Sequence, residues 1–227
     1  MAYFRTNFRT RRRTIFIALS VLLTGALILS SCNHRSCADC SCGRQQHDRL
    51  LIDVSGFTDK NVKNSADLVK WAEQAYENGW GYVWGTYGCI LDEKMLTAKT
   101  GQYPRSVGDY SEFISEHWLG ARTTDCVGLI KGYAWYDAAG GSFCYQSNGM
   151  PDLGANGMFS AAEEKGSIDT MPETAGLAVW KDGHIGVYIG KGWVIEARGT
   201  QEGVIKTRLK DVGWTHWLKV PYIEYDE

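Results

Sequence analysis

A cysteine, a histidine and a glutamate in the second half of this 227-residue chain have residue types and surroundings suited to acyl-transfer chemistry. Cys126 follows Thr123, Thr124 and Asp125, all good N-cap types, and Ile130, Tyr133, Ala134 and Asp137 continue its face at helical spacing. The spacing predicts Cys126 in the first turn of a helix. Unpaired backbone N–H groups and the macrodipole favour negative charge there, which lowers a thiol pKa and raises the thiolate fraction a cysteine nucleophile uses. A cysteine on an amphipathic helix can equally be a small buried hydrophobe. Its partners decide between the two.

His184 follows a Lys181-Asp182-Gly183 turn at the head of an apolar strand, where it could also be a satisfied edge residue. Glu196 is more informative, because it stands between Val194-Ile195 and Ala197, and burying a carboxylate is costly unless it is paired. If residues 190–192 form a three-residue hairpin loop, Ile189 pairs with Trp193 and Gly186 lies opposite Glu196. Glu196 and His184 then share a face as diagonal neighbours, and the absent side chain of Gly186 leaves room for them to meet. A two-residue loop puts them on opposite faces. The plain alternative is a solvent-facing glutamate on an edge strand.

Tyr82-Val83-Trp84-Gly85, then Asp125-Cys126-Val127-Gly128-Leu129-Ile130, then Gly183-His184-Ile185-Gly186-Val187-Tyr188-Ile189-Gly190 occur in this order, with a polar residue twelve positions after the histidine. In these motifs residues 63–225 resemble the NlpC family of cell-wall peptidases. The resemblance implies a papain-like fold in which the cysteine starts a helix packed on an antiparallel sheet. Residue by residue, Cys126 matches the nucleophile, His184 the base, Glu196 the polar residue that orients the histidine, and Tyr82 the tyrosine whose hydroxyl helps polarise the scissile carbonyl. Val127 replaces the usual serine and Glu196 the commoner third histidine, although a carboxylate can do the same orienting. The segments 86–122 and 138–166 are insertions relative to compact members and are expected to wall the groove.

The elements that must position these residues are legible in outline. Asn64 or Ser65 can cap a helix in which Leu68, Trp71, Ala72, Ala75 and Tyr76 recur at helical spacing, with Gly79 as the stop. Residues 107–118 read as a second short helix. The runs 176–180, 184–190, 193–197, 204–208 and 216–222 are strand-like and punctuated as hairpins. Helices followed by strands indicate an α+β domain with an antiparallel sheet of about five strands, here residues 63–227. His117 and His216, flanked by Trp118 and Trp217, read as structural.

Nine Trp, 44% hydrophobic and 22% charged residues exclude a disordered or collagen-like chain. The net charge is −2, but Arg5, Arg9, Arg11, Arg12 and Arg13 lie in residues 1–32 without an acid, so the remainder carries −7. An acidic body does not favour nucleic acid, which needs clustered Lys and Arg. The arginines precede an uncharged run, Thr14–Ser30, and Leu29-Ser30-Ser31-Cys32 resembles a bacterial lipobox. Residues 1–32 are therefore expected to be a lipoprotein signal peptide, with Cys32 lipidated and the body held at a membrane on the extracytoplasmic side. At 17 residues the run could otherwise be an uncleaved anchor. Residues 33–62 read as a linker; His34, Cys37, Cys40 and Cys42 have metal-like spacing, but the thiols are expected to form local disulfides or further lipid sites rather than bind zinc. The expectation is an exported, monomeric cysteine peptidase acting on peptidoglycan stem peptides, commonly at the D-glutamyl–diamino acid bond, without metal or organic cofactor. The alternatives are an amidase or acyltransferase with the same triad, or a non-catalytic lipoprotein that binds wall peptide.

Overall fold

The computed structural model describes residues 50–225; the expected signal peptide 1–32, Cys32 and the Cys37–Cys42 run lie outside the described residues. Helix α1 (Ser65–Glu77) starts where the Asn64 side chain accepts the Asp67 N–H at 2.8 Å. Leu68, Trp71, Ala72 and Ala75 are buried, whereas Tyr76 turns off this face and is 42% exposed. Residues 51–62, expected as linker, are instead fastened to α1. Asp67 is fully buried and collects the N–H groups of Thr58 and Asp59 at 2.8 and 3.1 Å. Asp53 and Gln74 exchange two hydrogen bonds, and Ile52, Val54 and Phe57 pack on the core. A buried carboxylate needs donors, and this segment supplies them.

Beyond α1 come β1 (Gly81–Tyr82), β2 (Tyr87–Ile90), α2 (Glu93–Gln102), a 3-10 turn at Gly108–Tyr110, α3 (Ser111–His117) and β3 (Arg122–Thr124). β3 lies between β1 and β2, parallel to the first and antiparallel to the second. Thr123 and Thr124 are therefore strand residues rather than caps. α3 and its 3-10 turn occupy the stretch 107–118. α2 buries none of its residues and so shows no apolar period in the sequence.

Helix α4 (Gly128–Trp135) begins two residues after Cys126, not at it. Asp125 sets this start: its Oδ1 accepts the Gly128 N–H at 2.6 Å and its carbonyl accepts the Leu129 N–H at 3.0 Å. Every residue of α4 is buried. Gly128 and Gly132 let it press on the chain around β2, because a Cβ on either would stand 2.0 Å from Thr86 O or 2.1 Å from Tyr87 O. Asp137, expected on this helix, is exposed in β4 (Tyr136–Asp137), which pairs with β5 (Ser142–Phe143).

After α5 (Ala155–Ala161) the chain is mostly strand: β6 (Lys165–Ser167), β7 (Ala178–Lys181), β8 (His184–Gly190), β9 (Trp193–Gly199), β10 (Gly203–Arg208) and β11 (His216–Leu218). They form one antiparallel sheet in the order β10-β9-β8-β7-β11-β6. The sheet thus has six strands, with the short edge strand β6 added to the five expected. α1 packs on β8, β9 and β10 and against α4, which makes the α+β core. Among the described residues, no helix is long and apolar enough to cross a membrane.

Candidate active site

The β8–β9 hairpin turns through Lys191-Gly192, with Gly190 paired to Trp193. That is a two-residue loop, the geometry expected to separate His184 from Glu196. A register shift between Tyr188 and Gly190 reverses the outcome: beyond it Tyr188 pairs with Val194 and Val187 with Ile195, the register a three-residue loop would produce. His184 and Glu196 therefore share a face. A Cβ on Gly186 would stand 2.8 Å from Val194 Cγ1 and 3.3 Å from Glu196 Cβ, so the glycine keeps this crossing open.

His184 Nε2 and Glu196 Oε2 are 2.6 Å apart, and Glu196 has no exposed surface. Glu196 Oε1 accepts the Thr207 hydroxyl at 2.8 Å. Since Ile205 pairs with Glu196, Thr207 is its diagonal neighbour on β10, as His184 is on β8. Burial works to raise the Glu196 pKa, but hydrogen bonds from His184 and Thr207 and the charges of His184 and Arg198 hold it below the usual range. An ionised carboxylate only accepts, so Nε2 carries the proton and Nδ1 is left as the acceptor in the neutral ring. Trp214 stacks on the imidazole at 5.2 Å and 10° and is itself 5% exposed.

Cys126 occupies the turn between β3 and α4 and is 4% exposed. The backbone N–H groups of Val127, Ile185 and Cys126 itself work to lower its pKa. Ile185 follows His184, so the thiol lies near the head of β8. Contrary to the sequence expectation, the thiol pKa is pushed up to about 12, first by burial and then by the Asp125 carboxylate. The helix-start donors do act on the sulfur, but burial outweighs them. Asp125 adds the second cause. It sits beside the thiol, takes the Gly128 N–H at the helix start and, through Oδ2, the Gly85 N–H at 2.8 Å, and its own pKa is raised by burial.

Tyr82 ends β1 opposite Thr124, 8% exposed. Burial, then the charges of Cys126 and Asp125, raises its hydroxyl pKa far above the ordinary phenol, so it remains a neutral donor. Tyr82 lies close enough to Cys126 to feel its charge, while His184 and Glu196 meet on the sheet face that carries Tyr188, Val194 and Trp214. His117 bonds Phe113 O at 3.0 Å and stacks on that ring, and His216 packs edge-on to Phe159 and Trp180; neither joins the site. Thr207, Trp214 and Asp125's double bridge were missed. A threonine at the right alternation on β10 was readable, but Trp214 lies in an irregular segment with no period. Among the described residues no group of three His, Cys, Asp or Glu is arranged to hold a metal ion.

A groove of about 660 Å³ opens beside Cys126, walled by Trp84, Lys99, Tyr103, Lys131, Tyr145 and Asp152. Most of this wall comes from residues 86–122 and 138–166.

No protein-family model matches the sequence, and no curated protein matches it. Among solved structures, the chain is similar to the NlpC/p60 domain of the peptidoglycan hydrolase SagA, at 16% identity and TM-score 0.40, over 68% of this chain and 97% of that one. It is similar to the peptidoglycan hydrolase RipB from Mycobacterium tuberculosis at 18% and 0.41, over 71% and 68%. A P60 domain from M. avium subspecies paratuberculosis aligns at 20% and 0.40, over 71% and 98%. At such TM-scores these likenesses decide nothing about the site, whose reading rests on the distances above.

Proposed function

We propose that the chain is a papain-like thiol hydrolase of the NlpC type, with Cys126 as nucleophile, His184 as base and Glu196 as the residue that orients the imidazole. The observation that carries this is the 2.6 Å contact between His184 Nε2 and the buried Glu196, on the strand whose next backbone N–H lowers the Cys126 thiol pKa. A ring fixed through Nε2 offers Nδ1 to a thiol.

The chemistry follows from a neutral thiol. As the Cys126 sulfur attacks an amide carbonyl, its proton passes to the free imidazole nitrogen, and Glu196 stabilises the imidazolium. The Cys126 N–H and the Tyr82 hydroxyl serve as donors to the oxyanion. The intermediate collapses to a thioester as the imidazolium protonates the leaving amine. Water, deprotonated by the same nitrogen, then attacks the thioester, and the sulfur leaves and is reprotonated. Atoms balance as one amide plus one water giving an acid and an amine.

The substrate in this reading is a peptidoglycan stem peptide, cut at the D-glutamyl–diamino acid bond. The body is held outside the cytoplasm by lipid on Cys32; the support is the Leu29-Ser30-Ser31-Cys32 sequence. Digestion of purified muropeptides, with products identified by mass spectrometry, tests the activity: wild type should release a glutamyl-terminated fragment and Cys126→Ala should not. Unchanged muropeptides with folded wild type would overturn the reading. A palmitate analogue fed to expressing cells should label wild type and spare Cys32→Ala.

A further inference from the structure

The groove wall holds two lysines of different standing. Lys131 is 7% exposed and paired with Asp152, whose second oxygen accepts the Tyr145 hydroxyl at 2.6 Å. That carboxylate is fully engaged and balances Lys131. Lys99, on α2, is half-buried; its Nζ meets Gln102 Oε1 at 3.3 Å and lies 5.5 Å over the Tyr103 ring. Among the described residues no carboxylate comes within ion-pair distance of it. An ammonium has three donors and no acceptor, so Lys99 faces the groove with donors to spare.

Its position is tied to the nucleophile. Lys99 Nζ lies 3.1 Å from where a Cβ on Gly85 would stand, and the Gly85 N–H donates to Asp125, the residue before Cys126. Of the two aspartates whose charge Lys99 feels, Asp152 pairs with Lys131, and Asp125 is held by two backbone donors and is 6% exposed, so neither forms an ion pair with it. A partly desolvated cation with no ion-pair partner among the described residues, one loop away from Cys126, suits an anionic group of the substrate.

We propose that Lys99 forms a carboxylate subsite, selecting peptides that carry a free carboxylate beside the scissile amide. The inference rests on the hydrolase reading above and gives its substrate class a charge. A γ-linked glutamyl residue has such a group, because its α-carboxylate is not used in the chain. The same residue with an α-carboxamide has equal size and no charge. A lysine is a point charge that discriminates ionic from neutral groups more sharply than it discriminates shapes.

The test separates binding from turnover. The full chain carrying Cys126→Ala is titrated calorimetrically with L-alanyl-γ-D-glutamyl tripeptides, with lysine or diaminopimelate in third place, each as free α-acid and as α-carboxamide. The acid should bind at least about tenfold more tightly than the amide, a ratio that one charge-assisted hydrogen bond sustains. Adding Lys99→Gln should bring the ratio close to one, and Lys99→Arg should largely keep it; circular dichroism checks that each variant is folded. Equal binding of acid and amide, a ratio that survives Lys99→Gln, or no binding of either peptide would overturn the subsite. Turnover by wild type reports separately on the hydrolase reading: a carboxylate preference in binding without hydrolysis would sink the enzyme and leave the subsite.

Discussion

The imidazole half of the site and the thiol half are held by different physics. On the sheet side, His184, Glu196 and Thr207 form a diagonal line across three hydrogen-bonded strands, and an ionised carboxylate is satisfied by two side chains. On the helix side, Cys126 is buried in a turn between two elements, beside a buried Asp125 whose charge opposes a thiolate. One half holds charge and the other suppresses it. The contrast indicates that the proton moves only when substrate arrives, since a thiol raised to about 12 has little standing thiolate at neutral pH.

The sharpest way to break the contrast is to remove one half at a time. Cys126→Ala should cost at least about 10⁴-fold in kcat on muropeptides, as loss of a covalent nucleophile does. Glu196→Ala should cost about 10²- to 10³-fold and Glu196→Gln, which keeps shape and a hydrogen bond, about tenfold, with folding checked by circular dichroism. Wild-type kcat in folded Glu196→Ala would reduce the imidazole half to His184 alone.

Next in size is packing under the thiol half. Gly132→Ala drives a Cβ towards Tyr87 O, so α4 must shift; we expect a loss of about 3 kcal/mol in urea unfolding, or failure to fold. Asp125→Asn sharpens the electrostatic half of the comparison. The amide cannot accept from both Gly85 and Gly128 N–H groups, so stability should fall by about 1–3 kcal/mol. Removing the negative charge should also move Cys126 alkylation by iodoacetamide to lower pH. In wild type that rate should keep climbing above pH 9, whereas a plateau in acid would restore a preformed thiolate.

The smallest effect is global. Glu196 and Asp67 are both held below their ordinary pKa, Asp67 by hydrogen bonds from Lys70, Thr58, Asp59 and Asn64 against the opposing effect of burial. A depressed carboxylate contributes stability that is complete above its unfolded value, roughly 4, and is lost as pH falls through the folded value. The urea midpoint should therefore drop below about pH 4, and less steeply in Glu196→Gln.

How much of this was legible in the sequence follows the same division. The alternation along β8 and β9 is a period-two signal, so the His184–Glu196 pairing could be framed in advance. The bulge at Tyr188–Gly190 that secures it could not, because a single extra residue leaves no mark in a hydrophobic pattern. α1 was readable from its buried stripe, while Tyr76 shows that the stripe's edge is set by the neighbours. On the thiol side, the direction of the Cys126 shift differs from the expectation because a helix start seen in sequence does not say how deeply the thiol is buried or that Asp125 stays beside it. Lys99 and Asp152 were unreadable for a related reason. Lys99 reaches the groove from the exposed helix α2 and Asp152 from an irregular stretch, and neither carries a period that announces a functional face.

The most direct test of the central claim is to catch the acyl group on the enzyme. Wild type mixed with excess muropeptide, quenched in acid during turnover and mapped by mass spectrometry should carry a glutamyl-containing acyl adduct on the peptide bearing Cys126. The adduct should be absent in Cys126→Ala. Sustained hydrolysis with the acyl group on another residue, or hydrolysis surviving in Cys126→Ala, would contradict the account.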